Sequence, residues 1–252
     1  MCGRLNITDD PFVVGLCEAL GVKLFPDRQT SEIKCLPDGR PIPWYFNRFI
    51  RATEPVGIIR EVEGKRILAL ATWWLLLEHR PGGFKPSKYT SFNTRYDKLN
   101  DPKSAGYKAF RQSRCIVPVT GFGETQGKGD NAIYTDFVAA NGALALGGLC
   151  REWQHFATGE RALSCSIITL GLHNKLLPFH EKSMPLILNQ ADGSMDLWLD
   201  CRQTDVSVFD ILLQPFLPQD LLAQRVDKPS NHQPIGKPIA VIADIASAPK
   251  TQ

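Results

Sequence analysis

The chain has 252 residues, 43% of them hydrophobic and 22% charged, with a formal net charge of only +3 at pH 7. These proportions are typical of a soluble globular protein with a sizeable core and exclude a disordered chain. No apolar run reaches the roughly 18 residues that span a bilayer, and the first residues lack the pattern of a secretory signal. We therefore expect a cytoplasmic protein.

The seven cysteines are scattered, and no two of them form a Cys-x-x-Cys pair. Their odd number and spacing are typical neither of a zinc site nor of a disulfide framework. The sequence also lacks a P-loop and a Gly-x-Gly-x-x-Gly motif. We expect no metal, no cofactor and mostly buried thiols.

The predicted elements of the first half are few. Thr8-Asp9-Asp10-Pro11 is a helix start with an N-cap candidate and a proline near the first helical position, and Gly21 can end the helix. Apolar residues at helical spacing follow Pro11. The segment 67–77 is predicted to be a buried strand.

Short strands dominate the second half. A short helix is predicted from Asp101 to about Arg111. Asn141-Gly142 is a strong turn motif and predicts a hairpin. The remaining predictions are strands at 115–119, 133–139, 143–149, 164–170 and 185–188, and a helix at 205–213. The pattern predicts an α+β fold with a curved, mostly antiparallel, barrel-like sheet in one domain over residues 1–232, followed by a tail at 233–252.

Basic residues are concentrated between Arg80 and Arg114, where nine cations are opposed only by Asp97 and Asp101. Six aromatic residues are interleaved with them. Cations that neutralise phosphates, beside rings on which bases stack, are typical of a surface that binds single strands. A solvated basic face with core aromatics explains the composition equally well.

The chain begins Met1-Cys2-Gly3-Arg4. If Met1 is removed, Cys2 carries an α-amine and a thiol on adjacent carbons. Their ordinary pKa values, about 8 and about 8.5, leave both groups easily activated near neutral pH. Such an aminothiol can condense with an aldehyde to a five-membered ring or attack a carbonyl as a thiol. A small second residue without any role is the ordinary alternative.

Four further segments complete a pattern. They are Ser91-Phe92-Asn93-Thr94-Arg95, Gly121-Phe122-Gly123-Glu124, Ile167-Ile168-Thr169, and Phe179-His180 with Met184-Pro185. Together with the N-terminal motif, and in the same order, they resemble the SRAP family (SOS-response-associated peptidase) over about residues 1–232. The sequence departs from the family pattern at Gly123 and Thr125, where the family has Tyr and Trp, and at Lys182-Ser183, which replace its arginine.

The resemblance implies covalent capture of abasic sites in single-stranded DNA through a thiazolidine at Cys2, with autopeptidase and abasic-site lyase activity. It implies that Asn93 positions the reactants and that Glu124 and His180 exchange protons. The implied DNA contacts are Arg4 and Arg95 on phosphates, Trp73 and Trp74 on bases, and Thr169 near the Cys2 site. It also implies a monomer that associates with the nucleoid when bound to DNA, without a membrane partner.

Each implied residue also has an ordinary structural interpretation. Asn93 is a turn former, the arginines are surface charges, and the tryptophans and His180 belong to the core. Two other functions stay open. Cys2 is also compatible with an N-terminal-nucleophile amidohydrolase or glutaminase. The basic stretch alone is compatible with a non-covalent module that binds single-stranded nucleic acid.

Overall fold

The computed structural model describes residues 3–8, 11–22 and 47–245. Its strands are β1 Arg4–Ile7, β2 Asn47–Arg51, β3 Pro55–Val62, β4 Lys65–Trp73, β5 Leu77–Arg80, β6 Gly83–Pro86, β7 Asn93–Arg95, β8 Arg114–Val119, β9 Gly121–Gln126, β10 Ile133–Ala139, β11 Leu144–Gln154, β12 Arg161–Leu170, β13 Met184–Pro185, β14 Ile187–Leu188, β15 Leu221–Val226 and β16 Pro234–Val241. Its α-helices are α1 Pro11–Ala19, α2 Tyr107–Gln112 and α3 Ser194–Leu199. None of the helices in these ranges has the length and apolar character needed to cross a membrane.

Five strands close into a barrel. β12 pairs with β4, β4 with β3, β3 with β8, β8 with β11, and β11 pairs again with β12. These pairs are antiparallel except for β4 and β12, which run parallel. Closure leaves no unpaired edge around the core and encloses apolar side chains such as Ile59, Ile116 and Ile167, all fully buried. The predicted fold class is confirmed.

A second sheet contains β1, which follows the N-terminal motif, and β9, which carries Glu124. Its strand order is β16-β15-β10-β9-β1-β2, and all of its pairs are antiparallel. β1 therefore lies inside this sheet, between β9 and β2. β9 follows β8 after a single residue, Thr120, so the chain passes directly from the barrel into the second sheet.

The prediction of a hairpin at Asn141-Gly142 is wrong. Both predicted strands exist, but they do not pair with each other. β10 pairs with β9 and β15, whereas β11 pairs with β8, β12 and β14. Gly142 adopts a positive φ of 94°, as the turn requires. The turn redirects the chain from one sheet to the other because the strands that bury each flank come from distant parts of the sequence.

Four further elements differ from their predictions. The strand at 67–77 ends at Trp73, and Ile67 and Leu70 on it are exposed. The helix from Asp101 begins only at Tyr107. The helix at 205–213 is a 3-10 turn at Val206–Phe209. The segment predicted as a tail contributes β16, which pairs with β15.

Candidate active site and DNA-facing surface

Glu124 is a buried carboxyl in the middle of a sheet. It lies on β9 and is 2% exposed. Burial raises the pKa of Glu124 from 4.5 to about 7, and nearby positive charges, including Arg4 and Lys182, limit the rise. At neutral pH the protonated and ionised forms are therefore both populated, as a general acid–base requires.

His180 contacts this carboxyl directly. Its Nε2 lies 3.4 Å from Oε2 of Glu124, and both side chains are buried. Burial lowers the pKa of His180 from 6.5 to about 4, and the charge of Lys182 acts in the same direction. Near neutral pH the imidazole is therefore neutral and faces a carboxyl that titrates.

The segment that carries His180 is held by packing on both sides. Its backbone N–H donates to the carbonyl oxygen of Leu176 at 3.0 Å. The neighbouring Phe179 packs edge-on against Phe137 of β10, with ring centroids 5.7 Å apart. A few residues later β13 pairs with β12 beside Thr169. The loop thus brings His180 over the second sheet from the end of a barrel strand.

Arg4 points into the protein. It is 4% exposed, and its guanidinium forms an ion pair with Asp136 on β10 at 2.7 Å. It also donates to Oγ1 of Thr125 and to the carbonyl oxygens of Glu124 and Thr135. The role predicted for Arg4 as a phosphate ligand does not fit this placement, because the group is already used inside the sheet.

Gly123 makes the position of Arg4 possible. Gly123 pairs with Arg4 across β1 and β9, and a Cβ built on it would lie 2.1 Å from Nε of Arg4. Thr125, two residues on, supplies a hydroxyl to the same guanidinium. Both residues that depart from the family pattern around Glu124 are therefore in contact with the inward arginine.

Sequence reasoning missed Asp136 and its partners. Asp136 is 2% exposed and accepts hydrogen bonds from Asn6 and Arg4. Nε2 of His232 lies 2.8 Å from Oδ2 of the same carboxylate, and His232 has a positive φ of 60°. Only the cross-strand register brings these residues together, so no motif in the sequence could have found them.

A second group of predicted residues meets on β7 and β12. These strands run parallel, with Asn93 beside Ile167 and Arg95 beside Thr169. Asn93 and Arg95 line an open hollow of about 280 Å³. Arg95 is exposed and ion-paired with Asp97, whereas Thr169 is buried.

The two tryptophans have different surroundings. Trp73 is fully buried, and its indole N–H donates to the carbonyl oxygen of Phe92 at 2.8 Å. The prediction that Trp73 stacks on bases is therefore wrong, because the ring has no free face. Trp74 is half-buried and stacks on the ring of Phe92 at 5.8 Å.

The basic stretch is not one uniform surface. Arg114 is buried and donates to backbone carbonyls, among them that of Trp198. Arg111 lies 3.8 Å over the ring of Tyr107 and is only partly exposed. The remaining cations of the stretch are exposed, and these side chains together are called the basic face below.

Cys2 lies outside the described residues. Gly3, the residue that follows it, donates its backbone N–H to the carbonyl oxygen of Gly123 at 3.4 Å. The described residues thus bring Arg4, Glu124 and His180 together, and separately Asn93, Arg95 and Thr169. Within the same residues, no group of three or more His, Cys, Asp or Glu side chains is arranged to hold a metal ion.

Residues 1–232 match the sequence model of the family "SOS response associated peptidase (SRAP)". The chain belongs to the SRAP family. The protein of Bacillus subtilis (strain 168) named "Abasic site processing protein YoqW" is 27% identical over 243 residues, or 93% of this chain and 97% of that protein. The protein of the same name from Bacillus phage SPbeta has the same identity and coverage.

Two solved structures share the SRAP fold of this chain. A protein from Bordetella bronchiseptica superposes with a TM-score of 0.63 at 18% identity, covering 90% of this chain and 100% of the other. A protein from Bacteroides thetaiotaomicron has a TM-score of 0.57 at 22% identity, covering 72% and 78%. At these identities the likeness concerns the fold. The SRAP match ends before β16, so that strand lies beyond the part shared with the family model.

Proposed function

We propose that this SRAP chain processes abasic sites in DNA by capturing them covalently in single strands. The observation that carries the proposal is the buried pair of Glu124, on the strand next to β1, and His180, in the loop before β13. Gly3, to which Cys2 is bonded, contacts Gly123, the neighbour of Glu124. The names of the two relatives support the same substrate class.

The proposed chemistry balances without a cofactor. Hydrolysis of the peptide bond between Met1 and Cys2 consumes one water and frees the α-amine. The amine nitrogen adds to the aldehyde carbon of the ring-opened sugar, and loss of the hydroxyl as water gives an imine. The thiol sulfur then bonds to the imine carbon and its proton passes to the nitrogen, which closes the thiazolidine.

Glu124 and His180 supply the protons. The protonated form of Glu124 donates to the hydroxyl that leaves as water, and the ionised form accepts a proton from the attacking amine. The neutral imidazole of His180 is a base for the alternative fate of the imine, removal of the C2′ proton and expulsion of the 3′ phosphate. Hydrolysis of the thiazolidine, with water as the reactant, releases the sugar intact.

The strand is proposed to lie along β7 and the basic face. Arg95 leaves Asp97 and binds a phosphate instead. This exchange costs little because the ion pair with Asp97 is exposed and contributes little to stability. Asn93 orients the sugar with its amide, and Thr169 lines the site beneath. Trp74 offers a ring face for stacking on a base. Arg4 and Trp73 have structural roles instead.

The test is capture of an abasic single-stranded oligonucleotide, followed by denaturing electrophoresis and intact mass. We expect a heat-stable adduct with wild type and none with Cys2→Ala. Cys201→Ala is the matched control, because Cys201 is a half-buried thiol away from the site. We expect Glu124→Gln to slow adduct formation by about 10²-fold or more, the usual contribution of a general acid–base.

Three results would contradict the proposal. An adduct that survives Cys2→Ala excludes the thiazolidine. Tight binding without any adduct, unchanged by Cys2→Ala and falling steeply with salt, indicates a non-covalent module. Glutamine hydrolysis that is lost on alkylation of Cys2 indicates an N-terminal-nucleophile amidohydrolase.

A further inference from the structure

An open apolar hollow of about 520 Å³ lies between the loop that leads to His180 and β16. Phe179, the chain neighbour of His180, forms part of its wall. Ile239 of β16 and Ile242, which follows that strand, supply much of the apolar surface, and Arg225 stands at its border. The volume lies within the usual range of small-ligand pockets.

Strand register places the border cation on the face of the catalytic carboxyl. Glu124 is directly opposite Thr135, and Thr135 is directly opposite Arg225. Directly opposite residues of antiparallel strands project from the same face of a sheet. Arg225 is two strand spacings from Glu124, about 10 Å, on the face over which His180 lies.

Arg225 is available to a ligand. It is exposed, and its guanidinium has no hydrogen-bond or ion-pair partner among the described residues. A bulge in the pairing of β15 and β16 falls between Ala223 and Arg225, and it includes Gly236 at φ 72°. Bulges of this kind redirect side chains beside functional sites.

The far wall of the hollow is fixed by side chains. Lys175 donates to the carbonyl oxygens of Ile242 and Ala243 and pairs with Asp244 at 2.7 Å. His173 contacts the same carboxylate at 2.8 Å. These bonds fasten the segment after β16 to the loop that carries His180, so the hollow is preformed.

We propose that this hollow, bordered by Arg225, binds one nucleotide that flanks the abasic site, with its base on the apolar wall and its phosphate on the guanidinium. The inference rests on the proposed function and names a further part of its substrate. Three observations favour this occupant: the unpartnered cation, the apolar wall beside it, and the continuity of both with the Glu124 face. A nucleotide carries both an anion and a stacking surface.

The test compares Arg225→Gln with Arg202→Gln, a control that removes another exposed cation, one that is paired with Asp200 and does not line the hollow. Adduct formation is measured against DNA concentration for three abasic single strands. One has nucleotides on both sides of the lesion, one lacks the 5′ flank and one lacks the 3′ flank. We expect Arg225→Gln to raise the half-saturating concentration about fivefold on the doubly flanked strand and on only one truncated strand.

Salt dependence and the apolar wall give independent readouts. Loss of one phosphate contact reduces the slope of log affinity against log salt by about 0.7 for a single strand. Ile239→Glu, which places a negative charge in the hollow, is expected to weaken binding at least as much. Ile211→Glu is its control, because Ile211 is 75% exposed and does not line the hollow.

Each outcome has a distinct meaning. Equal behaviour of Arg225→Gln and Arg202→Gln overturns the subsite, as does an equal loss on both truncated strands. A change of oligomeric state with Ile239→Glu in light scattering, without a change in DNA binding, assigns the hollow to contact between copies and also overturns it. Failure of wild type to form any adduct overturns the proposed function, whereas a normal wild-type adduct keeps that function intact.

Discussion

Glu124 and His180 exchange their ordinary protonation states on folding. Between about pH 4.5 and 6.5 an unfolded chain holds its proton on the histidine, whereas the folded chain holds it on the carboxyl. The number of protons bound by the pair is therefore nearly the same in the two states. Because the slope of stability against pH follows the difference in bound protons, the pair contributes little pH dependence in this window.

Replacing either residue should expose the pH dependence that the other residue contributes to the free energy of unfolding. His180 has a lowered pKa when folded, so in Glu124→Gln the free energy of unfolding should fall as the pH drops from about 6.5 to 4. Glu124 has a raised pKa when folded, so in His180→Gln it should fall as the pH rises from about 4.5 to 7. Each change should amount to about 2–3 kcal/mol, measured by urea unfolding at stepped pH.

The opposite slopes of the two variants are the decisive feature. Wild type, which retains the compensation, is the reference in the same buffers. His79→Gln is a control for loss of an exposed histidine. Two variants with parallel pH profiles would show that burial does not separate the two pKa values.

At the scale of elements, β1 depends on one glycine and one buried ion pair. Arg4 of β1 crosses to Asp136 on β10, passing over Gly123 of β9. The strand is only four residues long, and the guanidinium attaches it to β9 and β10 in addition to its backbone ladders. Breaking a buried ion pair by moving one partner costs about 3–5 kcal/mol.

Gly123→Ala should displace Arg4, because the new methyl group would lie 2.1 Å from Nε. We expect a loss of about 2–4 kcal/mol in unfolding free energy, together with slower adduct formation, since β1 leads to Cys2. Gly15→Ala is the matched control: nothing lies within 4 Å of its built Cβ, and alanine favours the helix by up to about 1 kcal/mol. Equal stabilities of Gly123→Ala and wild type would show that Arg4 relaxes without cost.

Local patterns predicted strands well and their partners poorly. The apolar runs behind β8 and β12 are visible in the sequence because both faces of these strands are buried. The turn at Asn141-Gly142 is also visible, but pairing depends on strands from far along the chain. The sequence indicates a surface charge at Arg4, because its partner Asp136 lies 132 residues away. Glu124 and His180 are predicted only through the family resemblance.

At the scale of the molecule, the barrel has no free edge, whereas the second sheet has two. The barrel is closed, whereas the second sheet ends at β16 on one side and β2 on the other. β16 is exposed along its length except for Val241, which is 4% exposed. The strand therefore covers the edge of β15 and adds little to the core.

A chain that ends at Gln233 should fold but melt earlier. Losing the burial of one valine, one strand ladder and the bonds from Lys175 and His173 to the segment after β16 should cost about 2–3 kcal/mol, or roughly 5–10 °C in Tm for a chain of this size. The measurement is a calorimetric melt, with a chain ending at Ile245 as the control that keeps β16. Identical melting temperatures would show that pairing with β16 does not stabilise β15.

The interior position of β1 also decides how a captured strand transmits force. If DNA is joined to the N-terminus, a translocating motor that pulls the DNA loads β1 along its own axis. The hydrogen-bond ladders to β9 and β2 then resist together in shear, and they do not unzip one bond at a time. A short strand in this geometry is a mechanical anchor, and under the proposed capture the strand that follows Cys2 would also hold the joined DNA against tension.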